Sequence, residues 1–209
     1  MASANAQAAA RPQGRGDLRE RILDAAHSLF RTKGYADTSV ADIAAKVGLT
    51  GPALYYYFGS KSNLLFEALH SPMERQVQLC REAIAGRQPP EQLYAFVEAL
   101  VLSLLENPAL RDIRGDAFVS MGLLVLALPA QQQEEVQALV RGHVRDLREI
   151  LKAGVRESSF RDVDPAATAF AVLGMAENVT WFRPGGRMSR AAVAALYADF
   201  AVSMVTARD

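Results

Sequence analysis

Apolar residues recur at helical intervals along almost the whole chain. Leu18, Ile22, Ala25, Ala26, Leu29 and Phe30 form one stripe over about 17–33, with Arg19, Glu20, Asp24 and Arg31 off it, and Gly34 ends that helix. Val40, Ile43, Ala44 and Val47 mark a second helix, with Thr38 and Ser39 as its natural cap and Gly48 as its stop. Thr50 is expected to cap a third, very short helix with its hydroxyl, Pro52 sits in the first turn, and Leu54 and Phe58 turn inward. A fourth helix, capped by Ser60, carries Leu64, Leu65, Ala68 and Leu69 and continues to about Ala85; Pro72 should kink or break it. Further helices are predicted over about 91–106, 109–121, 130–157, 166–181 and 189–207. No alternation of strand type occurs, so the fold class is all-α.

The stretch from Thr38 to Lys61, TSVADIAAKVGLTGPALYYYFGSK, is two short helices joined by a tight turn. Small residues at the start of the second and tyrosines behind them suit close approach to a DNA groove. The run from Arg21 to Leu69, with LDAAHSLFRTKGY, TSVADIAAKVGL and LYYYFGSKSNLL, resembles the DNA-binding domain of the TetR family of transcriptional regulators. The match runs through about four consecutive helices with their joints in register. The resemblance implies an N-terminal helix-turn-helix three-helix domain and a C-terminal helical domain for ligand binding and dimerisation.

Residues expected at the DNA are Thr38 and Ser39 at the cap of the second helix, Thr50, Gly51, Pro52, Ala53 and Tyr55 on the third, and Tyr56, Tyr57 and Lys61 toward phosphates. The sequence departs from the family pattern at three places. Members often carry a contacting side chain near Ala41, commonly Lys or Arg at Gly51, and often His at Tyr57. Hydrogen-bonded base reading is therefore expected to be sparse, with mostly apolar contact, for example to thymine methyls. The tyrosines have a second reading as mini-core residues, most of all Tyr56.

Composition alters this picture in one respect. The chain of 209 residues has 23 Lys and Arg against 23 Asp and Glu, a net charge of zero, which by itself speaks against a nucleic-acid binder. The charge is uneven, however: residues 1–62 hold eight Lys and Arg against five Asp and Glu, a surplus of three positive charges. That is enough for phosphate attraction, more so when a dimer doubles it. Residues 1–16 read as a disordered arm, either a solubilising tail or a minor-groove arm through Arg11 and Arg15. The domains expected are thus the arm at 1–16, a DNA-binding domain at 17–62 and a ligand-binding and dimerisation domain at 63–209. The single Cys80 makes no internal disulfide, apolar runs such as Met121 to Leu128 are far short of a membrane helix, and no signal peptide is read, so a cytoplasmic protein is expected.

In the C-terminal part, the helix over 166–181 is apolar almost all the way round and needs cover on more than one side. With the last helix it suggests a homodimer built as a four-helix bundle, through Phe170, Leu173, Val193, Leu196, Tyr197 and Phe200. RDVDPAATAFAVLGMAEN and WFRPGGRMS are similar to TetR members that respond to acyl-CoA thioesters. Arg183 and Arg187 flank a Pro-Gly-Gly turn and could hold CoA phosphates, while Phe96, Phe118, Met121, Met175, Asn178 and Trp181 could line an apolar channel. The alternative places Trp181 and the methionines in the core and the arginines at the surface or the dimer interface.

No catalytic constellation or metal-ligand spacing is present: His27, His70 and His143 lie on separate helices, and no cofactor is implied. The function expected is a sequence-specific DNA-binding regulator, a repressor released from a palindromic operator by a small-molecule effector. A helical dimeric adaptor that has lost DNA binding is the other reading.

Overall fold

A computed structural model describes residues 15–107, 124–181 and 188–206, and every described element is helical. The predicted helix over 109–121, Phe118, Met121, Arg183, Arg187 and the side chain of Trp181 lie outside the described residues, as does most of the arm. The chain divides into two compact units, one ending at Leu64 and one beginning at Leu65.

The first unit contains α1 (Arg15–Lys33), α2 (Val40–Val47), α3 (Gly51–Phe58) and the start of α4 (Lys61–Ile84). Ile22, Ala25, Ala26 and Phe30 of α1, Val40, Ile43 and Ala44 of α2, and Leu54 and Phe58 of α3 are all buried, so the helical stripes converge on one small core. Gly34 and Gly48, with φ of +89° and +74°, end α1 and α2 in the left-handed conformation that only glycine adopts without strain.

In the second unit, Leu65, Ala68, Leu69, Met73, Val77 and Cys80 line the buried face of α4. Of the kink or break expected at Pro72, the break does not occur: the proline stands inside a helix that continues to Ile84. Its lost backbone bond is outweighed by the buried residues that continue the same face on either side of it. α5 (Pro89–Glu106) buries Leu93, Phe96, Val97, Leu100, Val101 and Leu104, as its periodicity requires. It packs against α6 (Ala130–Arg156) and, most extensively, against α8 (Arg190–Val205); α6 packs on α7 (Pro165–Glu177), which ends in a 3₁₀ turn, Asn178–Trp181. On α6, Val136, His143, Leu147, Ile150 and Leu151 are buried but Val140 is exposed, so its apolar face is narrower than the sequence suggests.

Candidate nucleic-acid interface

The α1–α2 turn is fixed from both sides. Thr38 is 1% exposed, and its hydroxyl donates to the Gly34 carbonyl at 2.7 Å, with the Leu29 carbonyl at 3.2 Å. The expectation that the Thr38 hydroxyl faces DNA is therefore corrected: it is used inside the turn. Ser39 does cap α2, and does so reciprocally. Its Oγ accepts from the Asp42 amide at 3.0 Å while Asp42 Oδ2 accepts from the Ser39 amide at 2.9 Å. Lys33 Nζ, arriving from the end of α1, donates to the same Asp42 oxygen at 2.7 Å. The hydrogen bond from Lys33, then those from the Ser39 amide and hydroxyl, hold the Asp42 carboxyl at about 2. Sequence reasoning missed Asp42, although Ser39 followed three residues later by a carboxylate is the signature of a capping box.

Between α2 and α3 stand only three residues. The Leu49 amide donates to the Ala44 carbonyl at 2.8 Å, which fixes the turn. Thr50 is the N-cap of α3 but makes no side-chain cap bond, contrary to expectation. A capping hydroxyl accepts from the second or third amide of its helix; Pro52 removes the second, and Thr50 makes no bond to the third, that of Ala53.

α3 then presents its outer side. Leu54 and Phe58 point into the core, leaving Tyr55 52% and Tyr56 79% exposed, with Pro52 exposed and Gly51, Ala53 and Tyr57 half-buried. The mini-core reading of Tyr56 is thus wrong. At 100° per residue Tyr56 falls opposite Leu54, whereas Tyr57 lies beside Phe58 with ring centroids 6.4 Å apart. No charged residue stands anywhere in α3. Lys61, at the first position of α4, supplies the nearest cation in sequence. Its Nζ donates to the Ala36 carbonyl at 3.3 Å and lies 4.3 Å from the centroid of the Tyr35 ring.

The residues expected at a ligand fall less neatly together. Phe96 is fully buried, its ring edge-on to His143 with centroids 5.6 Å apart. Met175 is half-buried, and Asn178 is exposed, its side-chain amide donating to the Gly174 carbonyl at 2.8 Å to close the end of α7. A groove of about 420 Å³ opens among α4, α5 and α6, lined by Arg81, Ile84, Gln92, Asp146, Glu149 and Ile150, none of them among the expected ligand residues. Of the residues expected at a dimer interface, Phe170 is 66% and Phe200 48% exposed, with Leu196 also exposed and Tyr197 half-buried. Leu173 and Val193 are corrected: both are buried within the protomer. Among the described residues no group of three or more His, Cys, Asp and Glu is placed to hold a metal ion, and no helix is long and apolar enough to cross a membrane.

Comparison with known proteins agrees with this geometry. Residues 22–68 match the model of the bacterial regulatory proteins of the tetR family, and residues 86–205 match the tetracyclin repressor-like C-terminal domain. The chain is 30% identical over 187 residues to the HTH-type transcriptional repressor KstR2 of Rhodococcus jostii, covering 88% of this chain and 89% of that one. It is also similar to the TetR family regulator PfmR of Thermus thermophilus, with a TM-score of 0.74 and 36% identity over 88% of this chain and 97% of that one. A third similar structure is AibR in complex with isovaleryl coenzyme A and operator DNA, at TM-score 0.67 and 26% identity, covering 90% of this chain and 97% of that one. A helix-turn-helix with an exposed tyrosine-bearing second helix, matched over both halves of the chain by one family, leads to one conclusion: this chain is a DNA-binding transcriptional regulator and belongs to the TetR family.

Proposed function

We propose that the protein is a cytoplasmic homodimeric repressor that reads a palindromic operator through α3 and is released from it by a small-molecule effector of the acyl-CoA thioester class. The observation that carries the reading is the exposure of Tyr55 and Tyr56 on a helix whose position is locked by a glycine-ended turn. A side chain can read DNA only when its helix is held and its face is free. Ser39, Gly51, Pro52, Ala53 and Thr50 complete the reading face, Tyr56, Tyr57 and Lys61 face phosphates, and Thr38 contributes through its backbone. In organisation, the arm over 1–16 precedes a DNA-binding domain at 17–62 and a ligand-binding and dimerisation domain at 63–209.

Two copies meet through Phe170, Leu196, Tyr197 and Phe200, which places two α3 helices on a two-fold axis. On this reading the effector lies along Phe96, Phe118, Met121, Met175, Asn178 and Trp181, with Arg183 and Arg187 holding its CoA phosphates. Support for this ligand class is the similarity to AibR, whose complex contains isovaleryl coenzyme A. Ligand and operator oppose each other reciprocally, with a coupling of typically ~1–3 kcal/mol, as the effector favours a pose in which the two α3 helices no longer fit their half-sites together.

The test is capture of fragments of the protein's own genome, sequenced with and without a panel of acyl-CoA thioesters. A palindrome that one thioester releases is the expected result. A palindrome that none releases removes the ligand class, and capture of nothing even at low salt removes the regulator.

A further inference from the structure

Lys61 stands in the first turn of α4, where the helix macrodipole disfavours a cation, and that turn contains no acidic residue to offset it. The compensation comes from the α1–α2 turn. Nζ donates to the Ala36 carbonyl at 3.3 Å and sits over the face of Tyr35 at 4.3 Å, inside the range of a cation–π contact. The Tyr35 ring is itself seated, tilted against buried Phe30 with centroids 5.3 Å apart. The turn beneath it is fixed by Gly34 and the Thr38 hydroxyl. The ammonium therefore rests on a rigid platform.

Both of these contacts are neutral. Lys33, by contrast, spends its charge on the Asp42 carboxylate. An ammonium has three donors, and Ala36 takes one, so Lys61 keeps its whole charge and further donors for an anion from outside. Holding the flexible four-carbon stem in place beforehand removes much of the ordering cost of such a contact.

We propose that Tyr35 is a positioning residue for DNA binding: its ring pre-places the Lys61 ammonium, undischarged, three residues past the end of α3, for a phosphate. The inference rests on the DNA-binding reading of this unit. The role of Tyr35 is exerted through Lys61, not by touching DNA.

The test uses the full chain and a fluorescent duplex of mixed sequence, titrated over a range of KCl. Phosphate contact needs no operator, and each neutralised phosphate adds about 0.9 to the slope of log affinity against log salt. Lys61→Gln should lower the affinity and flatten that slope. Tyr35→Leu should weaken binding by about twofold to fivefold with the slope kept, because the charge is still there, and Tyr35→Phe should bind as the parent does. The deciding readout is the pair: once Lys61→Gln is present, Tyr35→Leu should cost nothing more. An equal loss in both backgrounds would overturn the inference and leave Tyr35 a core residue. Should Tyr35→Leu fail to fold, 4-cyanophenylalanine at position 35 keeps the ring's shape but drains the negative potential of its face, and the same coupling is measured. Failure of the parent protein to bind the duplex at low salt would instead strike at DNA binding itself, a result separable from loss of coupling.

Discussion

Phe160 lies across Gly154 so closely that a Cβ built on the glycine would stand 2.0 Å from its Cδ2 and 2.2 Å from its Cε2. The Gly154 carbonyl also accepts from the amides of Ser159 and Phe160, both at 3.0 Å, which folds the chain after α6 back onto the helix. Helix propensity alone would favour alanine here by about 1 kcal/mol. The ring decides the other way, so Gly154→Ala should destabilise the second unit by about 1–3 kcal/mol. Urea unfolding measures it, and Phe160→Leu in the same chain should recover part of the loss; a raised midpoint for Gly154→Ala would show that the ring moves aside freely.

Asp42 gives a pH dependence of known sign. Its carboxyl is held at about 2, below its ordinary 3.8, first by Lys33 and then by the Ser39 amide and hydroxyl. A lowered carboxyl stabilises the fold above its ordinary range, and that contribution fades as the pH falls from about 4 to about 2. Asp42→Asn should thus lower the urea midpoint near neutral pH, with the gap closing toward pH 2.5. Because the group is open to solvent, added salt should shrink the gap as well. A gap independent of pH would mean the capping bonds, not the charge, carry the effect.

Gly51 opens α3, yet a Cβ there would meet nothing within 4 Å, and its φ lies outside the left-handed range. Nothing in the fold demands glycine at this position. Gly51→Lys should leave stability within about 0.5 kcal/mol and steepen the salt dependence of binding to duplex DNA by about 0.9 per subunit engaged. An unchanged slope would place the start of α3 away from the phosphates.

The exposed and buried members of the last helices should separate in sedimentation. Phe170→Glu and Phe200→Glu put charge on the exposed apolar side of α7 and α8, and each should yield folded monomers. Leu173→Ala, at a buried position, should instead cost about 2–5 kcal/mol of stability and leave the dimer intact. Dimers that survive both charge insertions would move the interface to another face.

Tyr55→Ala and Tyr56→Ala remove two exposed side chains of an uncharged helix. Tyr55→Ala should weaken binding to the captured operator more than to mixed-sequence DNA, whereas Tyr56→Ala should weaken both alike, with thermal unfolding unchanged in each. Equal weakening on both DNAs by Tyr55→Ala would make Tyr55 a phosphate contact as well.

The helices themselves were legible in the chain because each is written locally. A stripe such as Leu93, Phe96, Val97, Leu100, Val101 and Leu104 has one periodic meaning, and Gly34, Gly48 and Asn107 punctuate it wherever the helices end up packing. The family was legible for the same reason, its motif being a run of consecutive helices with fixed joints. What tertiary structure alone decided is how residues distant in sequence share one place. Thr38 looks like any exposed cap until Leu29 and Gly34 close around its hydroxyl. Leu173 and Phe170 are equally apolar, and only packing within the protomer buries one and exposes the other. Tyr35 and Lys61 carry no mutual signal across 25 intervening residues, since a cation finds a ring only after the turn between α1 and α2 has set its position. Periodicity is a property of neighbours along the chain; contact between turns is a property of the finished core.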